Sequence, residues 1–112
     1  MNKKVFICAP NNYDTDDCML NAMRYAEYAL RSNVTPLVPH FFPLCVGDTE
    51  SDKELCKSAA YGLLWFIDEI WVFGDEVTKH MHDEITFGKL LNIPTRFVKE
   101  QEIRIKLGGE MQ

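Results

Sequence analysis

The sequence has no long apolar run. The longest, Leu63-Leu64-Trp65-Phe66-Ile67, has five residues, far short of the roughly 20 that a bilayer-crossing helix needs. Positive charge is also scarce. Twelve Lys and Arg against seventeen Asp and Glu give a net charge of −5, which argues against the clustered basic surface that tracks a nucleic-acid backbone. Neither a membrane nor a nucleic-acid polymer is therefore expected as a partner. Cys8, Cys18, Cys45 and Cys56 show no Cys-x-x-Cys spacing and read as thiols kept reduced, so the cytoplasm is the expected compartment. His80 and His82 lie two apart and would point to different faces of a helix, so no metal site is expected. Gly-x-Gly-x-x-Gly, the P-loop pattern and a Ser-His-Asp order are all missing, and no cofactor is expected.

Apolar content, by contrast, is ample. Hydrophobic residues make up 46% and aromatics 12% of 112 positions, enough to pack one domain and too few residues for two. The domain is expected to span 1–107, with 108–112 a frayed tail. Residues 4–9 form a near-continuous apolar run, the pattern of a central parallel strand covered on both faces. Pro10 ends it and an Asn/Asp-rich loop follows, so the stretch reads as a strand and not an export signal. The helical period then places Met19, Met23, Ala26 and Leu30 on one inward face. Residues 35–38, with Pro36 inside and Pro39 following, suit an edge strand.

Residues 39–44 read as an apolar loop. Ser51 and Glu54 have capping-box spacing and open a helix with Leu55, Ala59, Gly62/Leu63 and Phe66 inward. Residues 70–73 form a third strand, and the helix after it turns Met81, Ile85 and Gly88 inward before Asn92-Ile93-Pro94 stops it. Residues 95–98 make a fourth strand. Ile103, Ile105 and Leu107 alternate with Arg104 and Lys106, which predicts an optional fifth strand over 102–107.

This order implies an α/β, flavodoxin-like three-layer sandwich, with a parallel sheet of 4–5 strands in the order 2-1-3-4(-5). Ligands in such sheets bind beyond the carboxyl ends of the strands at the switch point, here between strands one and three. The loops meeting there carry Pro10, Asn11, Asn12, Tyr13 and Asp14, then His40 and Phe42, and then Gly74, Asp75, Thr78, Met81 and Glu84. Asp14, Asp16 and Asp17 crowd the first helix start without an offsetting cation, so sugar hydroxyls or a neutral base suit it better than a phosphate. Asp83-Glu84 is placed in or near the first turn of its helix, where the dipole favours an ionised carboxylate. Such a group suits a nucleophile or a cation stabiliser at an anomeric carbon. Asp75 is the nearest second carboxyl for proton transfer.

A family resemblance rests on Ile7-Cys8-Ala9-Pro10, Asn21-Ala22, Val38-Pro39-His40, Trp71-Val72-Phe73-Gly74-Asp75, Met81-x-x-Glu84-Ile85 and Asn92-Ile93-Pro94. Over about residues 4–98 the chain resembles a small bacterial and phage family, the DUF4406/DUF7768-type group, relatives of the nucleoside 2-deoxyribosyltransferases. The resemblance implies the same flavodoxin-like sheet. It also implies that Glu84 stands where the transferases carry a nucleophilic glutamate, which displaces the base from C1′. On that basis the chain is expected to bind a nucleoside or nucleotide, with N-glycosidase or deoxyribosyltransferase activity through Glu84. The alternative is a non-catalytic binder that senses or sequesters a nucleotide-derived ligand. A homodimer or larger assembly is expected, both from the aromatic surplus and because the transferase relatives complete their sites across subunits.

Overall fold

Val5 and Ile7 point to one side of strand β1 (Lys4–Cys8) and Phe6 and Cys8 to the other, and all four are fully buried. That double burial is why the strand reads as continuously apolar, and it places β1 at the centre of a sheet. The structure, a computed structural model, describes residues 2–10 and 16–108. The expected ligand loop Asn11 to Asp14 and the end of the expected tail, 109–112, lie outside the described residues.

Strands β2 (Thr35–Leu37), β3 (Glu69–Phe73) and β4 (Thr95–Val98) complete a parallel sheet in the order β2-β1-β3-β4. The expected flavodoxin-like order is therefore present with four strands. Helices α1 (Asp16–Arg31) and α5 (Glu100–Gly108) cover one face over Tyr25, Tyr28, Ala29, Trp71, Phe73 and Ile103. Helices α3 (Glu50–Leu63) and α4 (Lys79–Leu90) cover the other over Phe6, Cys8, Ala60, Leu64, Ile70, Val72, Met81 and Ile85. Asn33 and Asn92 take positive φ of 64° and 60° just beyond α1 and α4, the left-handed conformation that closes helices. Gly88 lets α4 approach the sheet: a β-carbon there would stand 2.2 Å from Cδ1 of Ile70.

Five expectations are corrected. The fifth strand is instead helix α5: Ile103 is fully buried, Ile105 is exposed, and Leu107, four residues on from Ile103, packs against the same cluster. The Glu102 carboxylate accepts from the Lys99 backbone N–H at 2.9 Å and caps that helix start. Residues 39–44 are not a loop but a 3₁₀ turn, Pro39–Phe41, running into the short helix α2 (Phe42–Val46). On α1 the inward residues are Ala22, Tyr25, Tyr28 and Ala29, while Met23 and Leu30 are exposed. The tyrosines bring more apolar surface than the methionines, and the Tyr28 hydroxyl still finds a partner in Arg96 at 3.1 Å.

On α3 the cap is Thr49, whose hydroxyl accepts from Asp52 N–H at 3.1 Å, rather than Ser51 with Glu54. The small residues Cys56 and Ala60 face the sheet, and Leu55 and Phe66 are exposed.

Candidate functional site

Helix α4 begins at Lys79, one residue after its cap Thr78, whose hydroxyl accepts from Met81 N–H at 3.4 Å. Glu84 is thus the sixth residue of the helix, and the first turn holds no acidic residue. The expectation of a dipole-ionised carboxylate at the helix start is overturned. Glu84 is instead 7% exposed. Burial pushes its carboxyl up to about 7, Asp83 beside it pushes the same way, and a hydrogen bond from the Cys8 thiol pulls down. Cys8 sits at the end of β1, its thiol also facing the Met81 carbonyl at 3.7 Å. Burial, with the Glu84 carboxylate beside it, raises that thiol far above its usual range and keeps it a donor.

A pocket of about 310 Å³ opens onto this carboxyl, lined by Pro39, His40, Lys53, Glu54, Cys56, Lys57, Ala60, Tyr61, Lys79, His80, Asp83 and Glu84. It lies near the carboxyl ends of β1 and β2, between α3 and the amino-terminal half of α4, on the side of the sheet where a doubly wound fold holds ligands. Two histidines form the wall nearest the sheet. His40 Nε2 lies 3.3 Å from the Ala9 carbonyl, which can only accept, so Nε2 carries the proton and Nδ1 is the bare acceptor. That Nδ1 is buried and has no hydrogen-bond partner among the described residues. His80 Nδ1 lies 3.1 Å from the Thr78 hydroxyl, and its ring also bonds the Ala9 carbonyl. Burial lowers the pKa of both rings, so they are neutral at pH 7. Tyr61 stacks on Phe87 at 5.0 Å and 7°, giving the outer wall an aromatic edge.

Of the residues expected at the crevice, His40 and Glu84 line this pocket. Thr78 stands behind it through His80, and Met81 lies beneath it, fully buried. Phe42 is half-buried in α2 and does not line it. Pro10, two residues past the end of β1, is not among the lining residues, and its carbonyl accepts from the Cys18 thiol at 3.0 Å. Gly74 and Asp75 turn to the other face. Gly74 takes φ 96° with the Tyr25 hydroxyl near, and Asp75 Oδ1 accepts from Glu100 N–H at 3.4 Å, at the start of α5. The carboxyl beside Glu84 is therefore Asp83, held 3.4 Å from Lys79.

Sequence reasoning missed Lys53, Lys57 and Tyr61. Their spacing of four puts all three on one face of α3, a signal visible before the fold. Among the described residues no group of three or more His, Cys, Asp and Glu could hold a metal ion, and no helix is long and apolar enough to cross a membrane.

The fold and the pocket define a flavodoxin-like α/β domain with a buried titratable carboxyl at its switch point. Within that class the chain belongs to the DUF7768 family, described as a domain of unknown function, whose profile matches residues 3–98. No curated protein matches the chain.

Proposed function

We propose that the pocket binds a nucleoside-type N-glycoside and that Glu84 acts on its anomeric carbon. The observation that carries this is a buried carboxyl, poised near neutrality, at the floor of a partly aromatic pocket at the switch point. The resemblance to the nucleoside 2-deoxyribosyltransferases supports it, through the Met81-x-x-Glu84 pattern. Burying an ionisable group this way costs stability and is characteristic of sites where a protonation state has work to do.

In the proposed step the ionised fraction of Glu84 bonds to C1′ while the C1′–N bond breaks. The electron pair leaves on the base nitrogen, which takes a proton from water at the pocket mouth. A second water then displaces the sugar from Glu84. Base release should therefore rise with pH through about 7, as Glu84 ionises. Assay of a panel of nucleosides, deoxynucleosides and their monophosphates for free base, wild type against Glu84→Gln, tests the reading. Loss of several orders of magnitude in the variant is expected, and turnover that survives ends the catalytic assignment.

The second reading, a non-catalytic binder, is favoured by one observation. Asp75 lies by α5 and does not supply the second carboxyl that proton transfer would use. A thermal shift without base release identifies it. We also propose that the chain self-associates, because Leu55, Trp65 and Phe66 are 59%, 64% and 72% exposed on and after α3. Light scattering that gives a monomer mass of 13.0 kDa contradicts this.

A further inference from the structure

The protein is acidic overall, yet three of its twelve Lys and Arg line the one pocket that holds Glu84. Lys53 and Lys57 stand one turn apart on α3, and Lys79 faces them from the start of α4. The hold of Lys79 on a protein carboxylate is slight. Lys79 meets Asp83 at 3.4 Å with its own side chain 92% exposed. Lys53 meets Glu50 at 3.6 Å, and Glu50 is 92% exposed. Ion pairs this open to water are worth little.

Lys57 is more telling. Glu54 is three residues back on the same helix and lines the same pocket as Lys57, as do Asp83 and Glu84. Among the described residues Lys57 nevertheless makes no ion pair, and its ammonium lies over the Tyr61 ring, 5.9 Å from the centroid. A tyrosine stacked on Phe87, with an ammonium over its ring and in a pocket that also holds a carboxyl, offers an apolar wall with a place for an anion beside it.

We infer that the ligand carries a phosphomonoester, held at the pocket mouth by Lys57 with Lys53 and Lys79 flanking it. The substrate class is then a nucleoside monophosphate in preference to the free nucleoside. This rests on the N-glycoside reading and extends it. It also revises the expectation that sugar hydroxyls or a neutral base suit the crevice better than a phosphate. That expectation concerned the start of α1, whereas the cations stand between α3 and α4. The neutral-leaning Glu84 adds to the fit, since a fully ionised floor would repel the anion.

The test is binding of matched pairs, each nucleoside against its 5′-monophosphate, with inorganic phosphate and ribose 5-phosphate as further probes. It uses calorimetry on the full chain at low and at physiological salt. The monophosphate should bind at least about tenfold tighter than its nucleoside, and the advantage should shrink as salt rises. Lys57→Gln should remove most of that advantage, lowering monophosphate affinity far more than nucleoside affinity. Lys53→Gln should remove less of it. Melting temperatures near wild type, as expected for an exposed Lys57 and a half-buried Lys53, confirm that both variants fold.

Equal binding of the two members of a pair overturns the inference and leaves the N-glycoside reading standing. So does an equal loss for both in Lys57→Gln. Phosphate and ribose 5-phosphate binding as tightly as the monophosphates also overturns it, because the base then contributes nothing. Binding of no member of the panel overturns the inference and the reading together.

Discussion

The two faces of the sheet are built to different ends. Under α1 and α5, Tyr25 stacks on Phe73 at 4.8 Å and 15°, and Tyr28 meets both Trp71 and Phe73 edge-on. Arg96 lies 4.6 Å from the Trp71 ring, and Arg24 forks onto Glu100 to tie α1 to α5. Under α3 and α4 the packing is mostly aliphatic: Leu64, Ile70, Val72, Met81 and Ile85 around Phe6, with the small Cys8, Ala60 and Gly88 between them. There the packing gives way to a pocket floored by a buried carboxyl and walled by two neutral histidines. One face gathers large rings and outward-directed charge, which stabilise. The other carries ionisable groups whose burial opposes folding. A buried acid that weakens the fold marks a candidate site for chemistry.

Removing a ring from the aromatic face should have the largest effect. Phe73 is fully buried and touches three aromatic neighbours. Phe73→Ala should cost about 3–5 kcal/mol, read as a lower midpoint in urea, while a variant that still folds should bind the nucleoside and monophosphate panel as wild type does. A loss of binding as large as the loss of stability would show that the faces are not separable.

The close approach on the pocket face comes next. Gly88→Ala drives a β-carbon against the end of Ile70 and should cost about 1–3 kcal/mol. The same melts would show it, and a neutral result would mean that Ile70 swings aside at no cost.

The smallest effect is expected at Asp75, which caps α5 on the aromatic face. Asp75→Ala should lower stability by about 1 kcal/mol or less and leave ligand affinity and any base release unchanged. Loss of activity with stability intact would return Asp75 to the site.

The strand order was legible because the central strands are apolar on both faces, and Lys4–Cys8 and Glu69–Phe73 advertise that without periodicity. Helix faces were harder. On α1 and α3 an apolar stripe runs along the exposed side, through Met23 and Leu30 and through Leu55 and Phe66. Counting apolar positions therefore picked the wrong face. Over 100–108 the alternation of Ile103 and Ile105 masked an i, i+4 pair, Ile103 and Leu107, that belongs to a helix.

At the site, Glu84 and His40 could be named in advance, because the chain order puts both after strand ends. The state of Glu84 could not. One turn of helix separates a carboxyl that the dipole ionises from one that the core neutralises, and only packing decides between them. Lys57 was passed over because a charged residue on a helix is ordinarily solvated, and its pocket exists only once α4 lies beside α3.

The central claim, that Glu84 is held in the pocket at the expense of stability, is tested most directly by the melting of wild type and Glu84→Gln between pH 4 and pH 9. The folded carboxyl titrates at about 7 against an ordinary value of 4.5. The unfolded chain therefore releases its proton first as pH rises. Wild-type stability from this group is fully present below about 4.5, falls between there and 7, and stays low above. Over that window the loss is about 3 kcal/mol. Cys8, His40, His80 and Asp83 are common to both proteins, so the difference between the curves reports Glu84. The account predicts near-equal stability at pH 4, a gap that opens in favour of Glu84→Gln through pH 5–7, and a constant gap above pH 8. Two curves that run parallel across the whole range would contradict it.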